Sequence, residues 1–301
     1  MSRFVVTGAA GFIGSHLTEA LRARGDEVLP VDAFTDYYDP AVKEENAAGL
    51  DVLRLDLAEE TLDVAGIDGV FHLAGQPGVR ASWGGDFALY VRRNVLATQR
   101  VLEAAVPAGI RVVYASSSSI YGDAEAYPTP EETEPRPISP YGITKLACEH
   151  LLYAYRADAV ALRYFTVYGP RQRPDMFFTR MLRALADGSG FTLYGDGSAS
   201  RSFTYVADAV EATLAAMERG DGVYNVGGGS ETTVNEAIAL AERIAGRRVE
   251  VRRREAQPGD VRRTRADTER IRVDLGWEAR TPLEEGLQAQ WEWASSRVAA
   301  R

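Results

Sequence analysis

Tyr141 and Lys145, in the run Tyr141-Gly142-Ile143-Thr144-Lys145, are the pair in this chain best suited to moving a proton. On a helix, residues four apart share a face, about 5–6 Å from each other at Cβ. A tyrosine ordinarily ionises near pH 10 and is a poor base at neutral pH, but a neighbouring ammonium favours the phenolate. The spacing is common by chance as an exposed helix pair, so its setting decides. It follows Ala115-Ser116-Ser117-Ser118-Ser119, a cluster of hydroxyls at the end of an expected strand. A serine-rich turn uses one or two hydroxyls as caps, and this run has more.

A second pattern supplies a redox partner for such a base. Gly8-Ala9-Ala10-Gly11-Phe12-Ile13-Gly14 stands between an expected strand and an expected helix. Glycines there permit a tight turn and let the backbone approach a pyrophosphate, whose charge faces the helix N-terminus. The spacing is GxxGxxG rather than GxGxxG, a looser match to the dinucleotide fingerprint. Asp32 closes the second expected strand, where an acid would grip ribose hydroxyls. Ala33 and Phe34 follow it, so a 2′-phosphate would meet a negative charge with no counter-ion, and NAD is expected rather than NADP. Asp56, after the third strand, is placed to reach the adenine amine, or is a solvated strand end. The positive charge of oxidised nicotinamide would further favour a tyrosine phenolate.

The elements that must position these residues alternate. Strands are expected at residues 4–6, 27–31, 52–55, 69–73 and 111–115, and helices at 15–24, 91–105 and 141–155. That alternation implies an α/β fold, a doubly wound parallel (Rossmann) sheet with its ligand crevice at the carboxyl ends of the strands. Five prolines between residues 127 and 140 make that stretch a stiff loop leading into the Tyr141 helix. After Gly169 the character changes, which implies a smaller mixed α/β substrate-binding domain. The expected division is a nucleotide domain of residues 1–168 with a return at 203–226, and a second domain of 169–202 and 227–301.

Composition narrows the classes. The formal net charge of -9 disfavours nucleic acid as a partner. Cys148 is the sole cysteine, so no intrachain disulfide or multi-cysteine metal site is expected, and a reducing cytoplasm suits it. No apolar run approaches the roughly 20 residues of a membrane span, and no signal peptide is expected.

Thr7 to Gly14, His72-Leu73-Ala74-Gly75, Tyr121-Gly122, Tyr141 to Lys145 and the segment 163–169 together resemble the extended short-chain dehydrogenases that modify nucleotide sugars, over nearly the whole length. The resemblance implies a catalytic trio of Ser117, Tyr141 and Lys145. It implies cofactor contacts from Gly8, Gly11, Phe12, Ile13, Gly14, Asp32, Asp56, Leu57, Leu73, Ala74, Gly75, Asn94 and Tyr164, besides Tyr141 and Lys145. A homodimer through the helices of 91–105 and 141–155 is implied as well.

Within that family, 4,6-dehydratases carry an Asp-Glu pair after the catalytic hydroxyl, and UDP-glucuronate decarboxylases a Glu two places on. Ser118 and Ser119 stand here instead and supply no proton carrier. Asp36-Tyr37-Tyr38-Asp39-Pro40 with Lys43, then Gln76-Pro77-Gly78-Val79-Arg80, resemble UDP-glucuronate 4-epimerases, which more often have Ala at Pro77. Thr166 in the segment 164–176 also resembles that branch, since UDP-galactose 4-epimerases usually have Asn there.

The likeness implies sugar or diphosphate contacts from Arg80, Ser117, Ser118, Ser119, Thr166, Arg173 and Arg180. Thr192, Tyr194, Arg201, Gln257 and Asp260 would hold the nucleotide half. The arginines of 252–254 and 262–265 read as a solvated face. The implied activity is NAD-dependent 4-epimerisation of a UDP-sugar, glucuronate to galacturonate, through a 4-keto intermediate. The alternatives are a UDP-glucose/UDP-galactose epimerase, a UDP-glucuronate decarboxylase, a reductase with exchangeable NAD, and a non-catalytic NAD-binding regulator.

Overall fold

Strand β1 (Arg3–Thr7) is buried on both sides: Phe4 and Val6 enter one apolar core and Val5 the opposite one. Two-sided burial is what a parallel sheet covered by helices requires. The computed structural model, which describes residues 1–228, 231–257 and 259–299, has that architecture. From β1 the chain runs through α1 (Phe12–Ala23), β2 (Glu27–Asp32), α2 (Pro40–Asn46), β3 (Leu53–Arg54) and β4 (Gly69–His72). It continues through α3 (Phe87–Tyr90), α4 (Ala97–Ala105), β5 (Arg111–Ser117), α5 (Pro140–Ala154) and β6 (Ala159–Tyr164).

The second half comprises β7 (Thr166–Tyr168), α6 (Phe177–Asp187), β8 (Phe191–Tyr194), β9 (Ser200–Tyr205), α7 (Val206–Glu218) and β10 (Gly222–Val226). It ends with β11 (Glu231–Thr233), α8 (Val234–Ala245), β12 (Val251–Arg254), α9 (Glu269–Leu275) and α10 (Leu283–Ala299). Among the described residues, no helix is long and apolar enough to cross a membrane.

The main sheet is ordered β10-β6-β5-β4-β1-β2-β3, and every pairing in it is parallel. The order reverses between β1 and β4, so the crevice expected of a doubly wound sheet opens there. β7 and β9 pair with each other, with β11 on the far side of β9, and β8 pairs with β12. These small sheets, with α6, α8 and α10, enclose a separate core around Phe178, Met181, Leu182 and Leu287.

The expected division between regions therefore shifts in three places. Residues 166–168 leave the main sheet after Phe165, and β9 at 200–205 belongs to the small sheet, while α7 and β10 do return to the main body. The segment around α9 also belongs with the main body. Ile271, Leu275 and Trp277 enter its core, and the Trp277 indole donates to the Asp208 carbonyl at 2.9 Å. These three apolar side chains, together with the Thr281 amide and hydroxyl that donate to the Asp208 carboxylate at 3.0 Å, tie this late segment to the main body.

The long helix expected over 91–105 is instead a composite. Residues Val91–Leu96 form a wider π turn between α3 and α4. Such turns recur at functional sites, and this one carries Arg93 and Asn94.

Candidate active site

Two cavities meet beside the carboxyl ends of the strands. The first follows the glycine turn and the ends of β2 and the segment after β3, and the second lies against β8 and the Arg201 and Asp260 segments. Tyr37 and Arg173 line both, so they mark the junction.

The first cavity has the features a dinucleotide requires. Gly8 holds φ +72°, and a Cβ there would lie 2.9 Å from the Ala74 backbone nitrogen. A Cβ on Gly14 would lie 2.1 Å from the Gly8 carbonyl oxygen, so the helix can approach the turn only as glycine. Helix α1 starts without a side-chain cap and without an acid in its first turn, so its leading N–H groups stay open to an anion. Asp32 is held by the Ala10 and Phe34 amides at 3.1 and 2.8 Å. Eleven of the residues expected at the cofactor line this cavity: Gly8, Gly11, Phe12, Ile13, Gly14, Asp32, Asp56, Leu57, Leu73, Ala74 and Gly75.

Others do not. Tyr164 turns into the main core, where its hydroxyl meets Thr213 Oγ1 at 2.6 Å, so its phenol is spent on packing. Asn94 is also inward: Oδ1 accepts from the Gln76 amide at 2.6 Å, and Nδ2 donates to the Gln76 carbonyl and Thr144 Oγ1 at 3.2 and 3.0 Å. It braces the loop beside Gly75, and Arg93 is the residue of that turn that faces the cavity, donating to Gln76 Oε1 at 2.9 Å. Lys43 corrects a premise about Asp32. Its ammonium stands 4.0 Å from Asp32 Oδ1 and donates to Thr35 Oγ1 at 2.9 Å, so a counter-ion is present after all, brought in by α2.

Beneath the loop of residues 73–75, the His72 ring bridges Thr7 Oγ1 at 2.8 Å and Thr98 Oγ1 at 3.0 Å, and Thr7 Oγ1 also accepts from the Ala74 amide. Burial first, then Lys145, pushes the imidazole down to about 3. Between that value and the ordinary 6.5, the unfolded chain binds a proton that the folded chain lacks. Stability therefore falls as pH drops through this window, by about 1.4 kcal/mol per unit from this group. The cost of His72→Gln should accordingly be smaller at pH 5 than at pH 7.5, by about 2 kcal/mol in urea unfolding. An identical cost at both pH values would show that His72 is not held neutral.

The residues expected to be catalytic are brought near one another through the backbone. Ser139 caps α5, its hydroxyl accepting from the Gly142 amide at 3.1 Å, and Pro140 occupies the first turn. That first turn lies directly on the serine run: a Cβ on Gly142 would be 2.5 Å from the Ser119 carbonyl oxygen. Ser117, 8% exposed, ends β5, donates to Ser119 Oγ at 3.1 Å and accepts from the Ser119 amide. Lys145 is buried, donates to the Ala115 carbonyl at 2.7 Å, and stands 6.0 Å from the centre of the Tyr141 ring. It also lies 4.9 Å over the Tyr114 ring, a cation–π contact.

Gly75 and Ala115, both lining the first cavity, flank this ammonium; a Cβ on Gly75 would be 3.6 Å from Lys145 Nζ. Tyr141 packs edge-on against Tyr90 at 6.3 Å. Its phenol acts on both Arg173 and Tyr37, raising the pKa of each, which ties it to the junction. Neither Ser117–Ser119 nor Tyr141 and Lys145 line either cavity directly.

The second cavity brings together Arg80, Thr166, Arg173, Arg180, Thr192, Tyr194, Arg201 and Asp260. Arg80 pairs with Asp260 at 2.7 Å while its guanidinium lies 4.4 Å over the Tyr194 ring. Arg201 donates to the carbonyls of Ser200 and Val261, and Arg180 to that of Thr192. Gln257 is exposed and lines neither cavity; Pro258, its neighbour in the motif, lies outside the described residues. Arg262, read as part of a solvated face, lines this cavity. Tyr37, Tyr38, Lys43, Thr35 and Arg93 also line the first cavity; the sequence motif of the first three assigns them no role, and the last two carry no separate signal.

Comparison with known proteins shows the family and the fold. The model of the NAD dependent epimerase/dehydratase family matches residues 4–227, and the chain belongs to that family. A UDP-glucose epimerase of Bacillus subtilis (strain 168), YtcB, itself uncharacterized, is 38% identical, covering 98% of each chain. The structure of UDP-glucuronic acid 4-epimerase from Bacillus cereus, with UDP-glucuronic acid and NAD, superposes with a TM-score of 0.94 at 36% identity, covering 98% of this chain and 99% of that one. MoeE5 in complex with UDP-glucuronic acid and NAD is 45% identical, with a TM-score of 0.88 over 98% and 100% of the two chains.

Proposed function

We propose that this chain is an NAD-dependent UDP-sugar 4-epimerase that interconverts UDP-glucuronate and UDP-galacturonate. The observation that carries the sugar assignment is Arg173, a guanidinium at the junction of the nucleotide-sugar and cofactor cavities. A fork of N–H donors there suits a sugar carboxylate. The serines at 118 and 119 offer hydroxyls where an eliminating or decarboxylating relative would need an acid. The two solved relatives with UDP-glucuronic acid and NAD support the same reading.

NAD supplies, when bound, the acceptor that takes the C4 hydride and returns it. The chain does the rest. The α1 N-terminus and Asp32 hold the dinucleotide, and Arg93 and Lys43 add positive charge along its path. Tyr141, supported by Lys145, takes the C4 hydroxyl proton, with Ser117 as hydrogen-bond partner. The 4-keto sugar then turns about its link to the anchored diphosphate and presents its other face, so that the returning hydride inverts C4 while Tyr141 gives the proton back to the C4 oxygen. Because the intermediate is a β-keto acid, the site must also hold the carboxylate away from alignment with the ketone.

The protein as purified, given UDP-glucuronate without added cofactor, should form UDP-galacturonate to a fixed ratio with little CO₂. Exchange confined to UDP-glucose and UDP-galactose, release of a pentose nucleotide with stoichiometric CO₂, or no turnover would each overturn the assignment. We place the enzyme in the cytoplasm, where its buried free thiol Cys148 stays reduced. It acts as a homodimer, paired over the apolar residues that Val91, Leu96, Ile143 and Tyr153 expose near α4 and α5.

A further inference from the structure

We infer that Asp175 is a positioning residue that sets which edge of Arg173 meets the sugar, and thereby the selectivity for a carboxylate; this rests on the glucuronate reading above. Arg173 Nε and Nη2 donate to the two oxygens of Asp175 at 3.0 and 3.1 Å, a two-point pairing. The Tyr37 phenol donates to the same carboxylate at 3.3 Å. Burial first, then Asp175, pushes Tyr37 up to about 12, so it stays a donor at working pH.

Arg173 and Tyr37 line both cavities and Asp175 the second, so the three residues form one bracket at their junction. A guanidinium has two forks, Nε with Nη2 and Nη1 with Nη2. Asp175 occupies the first, and Nη1 makes no hydrogen bond among the described residues. The fork that remains is the one open to a second carboxylate. Holding the plane of the guanidinium fixes the plane of that carboxylate in turn.

This orientation bears on product as well as affinity. In the 4-keto intermediate, loss of CO₂ breaks the bond from C5 to the carboxyl carbon. Its electron pair passes into the enolate of the C4 ketone, and solvent later supplies a proton to C5. The step needs that bond parallel to the carbonyl π system. A carboxylate locked by a fixed fork is held out of that alignment, and one bound to a loosened guanidinium is not.

Asp175→Asn keeps one acceptor but loses the charge and the two-point grip. Its kcat/KM for UDP-glucuronate should fall about ten-fold, while the affinity for UDP, which lacks the sugar, is unchanged by calorimetry. The CO₂ released per epimerisation should rise, and Asp175→Glu should recover part of both losses. Tyr37→Phe, which removes only the phenol's hydrogen bond, should shift both readouts the same way by less. Equal weakening of UDP and UDP-glucuronate would mark a general structural role and overturn the inference. An unchanged CO₂ fraction, or tighter binding of UDP-glucuronate by Asp175→Asn, would overturn it too. Wild-type protein inactive on UDP-glucuronate would instead sink the glucuronate reading itself.

Discussion

Tyr141→Phe should lower kcat for the epimerisation by about 10²–10⁴-fold, the usual contribution of a positioned general base. The variant should retain its NAD after purification. Phenylalanine keeps the ring that packs edge-on against Tyr90, so helix α5 and the loop it covers remain in place. The lost atom is the one that would accept the C4 hydroxyl proton. Lys145 is anchored independently on the Ala115 carbonyl, so its position does not depend on the phenol. For that reason Lys145→Met should cost little further rate once Tyr141 is Phe, because the ammonium acts through the phenolate. Equal multiplicative losses in the double variant would mean that the two residues work separately. A Tyr141→Phe protein with unaltered turnover would remove the assigned base altogether.

The parts of this site that the sequence makes legible are those set by neighbours in the chain. The glycine turn, Asp32 at the end of β2 and Tyr141 with Lys145 on α5 depend on strand–turn–helix order and on a four-residue helical spacing. The alternation Phe4, Val5, Val6 likewise foretells a sheet buried on both faces. What stays hidden depends on contacts between distant segments. Arg80 and Asp260 stand 180 positions apart, and only folding makes them a pair beside Tyr194. Lys43 reaches Asp32 because α2 folds back over the second strand, which no spacing rule states.

The exchange between Arg93 and Asn94 has a different cause. A regular helix over 91–105 gives one rotational phase, and the π turn changes it, so the amide faces inward and the guanidinium faces the cavity. Strand β7 escapes detection because one residue, Phe165, separates it from β6, yet its partner β9 lies in another sheet. Tyr164 is misread for the same reason: its motif marks the crossing point, and its side chain faces the core.

Behind the serine run lies the group whose loss should cost the most stability. Arg163 on β6 and Glu149 on α5 form a two-point pair at 3.0 and 2.8 Å, with side chains 6% and 8% exposed. Arg163 also donates to the Tyr121 hydroxyl and the Glu131 carbonyl, and Tyr121 donates to Asn225 Oδ1 on β10. Ser116, the residue before Ser117, donates to the same Glu149 carboxylate. One charge pair thus ties β5, β6, β10 and α5 together just behind the expected catalytic hydroxyls.

Removing one member strands the other's charge in a dry interior, and Glu149→Gln should lower the unfolding free energy by about 3–5 kcal/mol. Bound NAD stabilises only the folded chain, so urea unfolding must be compared at equal cofactor occupancy. The double variant Glu149→Leu, Arg163→Met leaves no unpaired charge, and should be less destabilised than either single variant. Additive losses would mean that neither charge depends on the other for its burial. The double variant should still lose turnover, since a leucine side chain in place of Glu149 cannot accept from Ser116, and that separates holding the fold together from aiming the hydroxyl of Ser117.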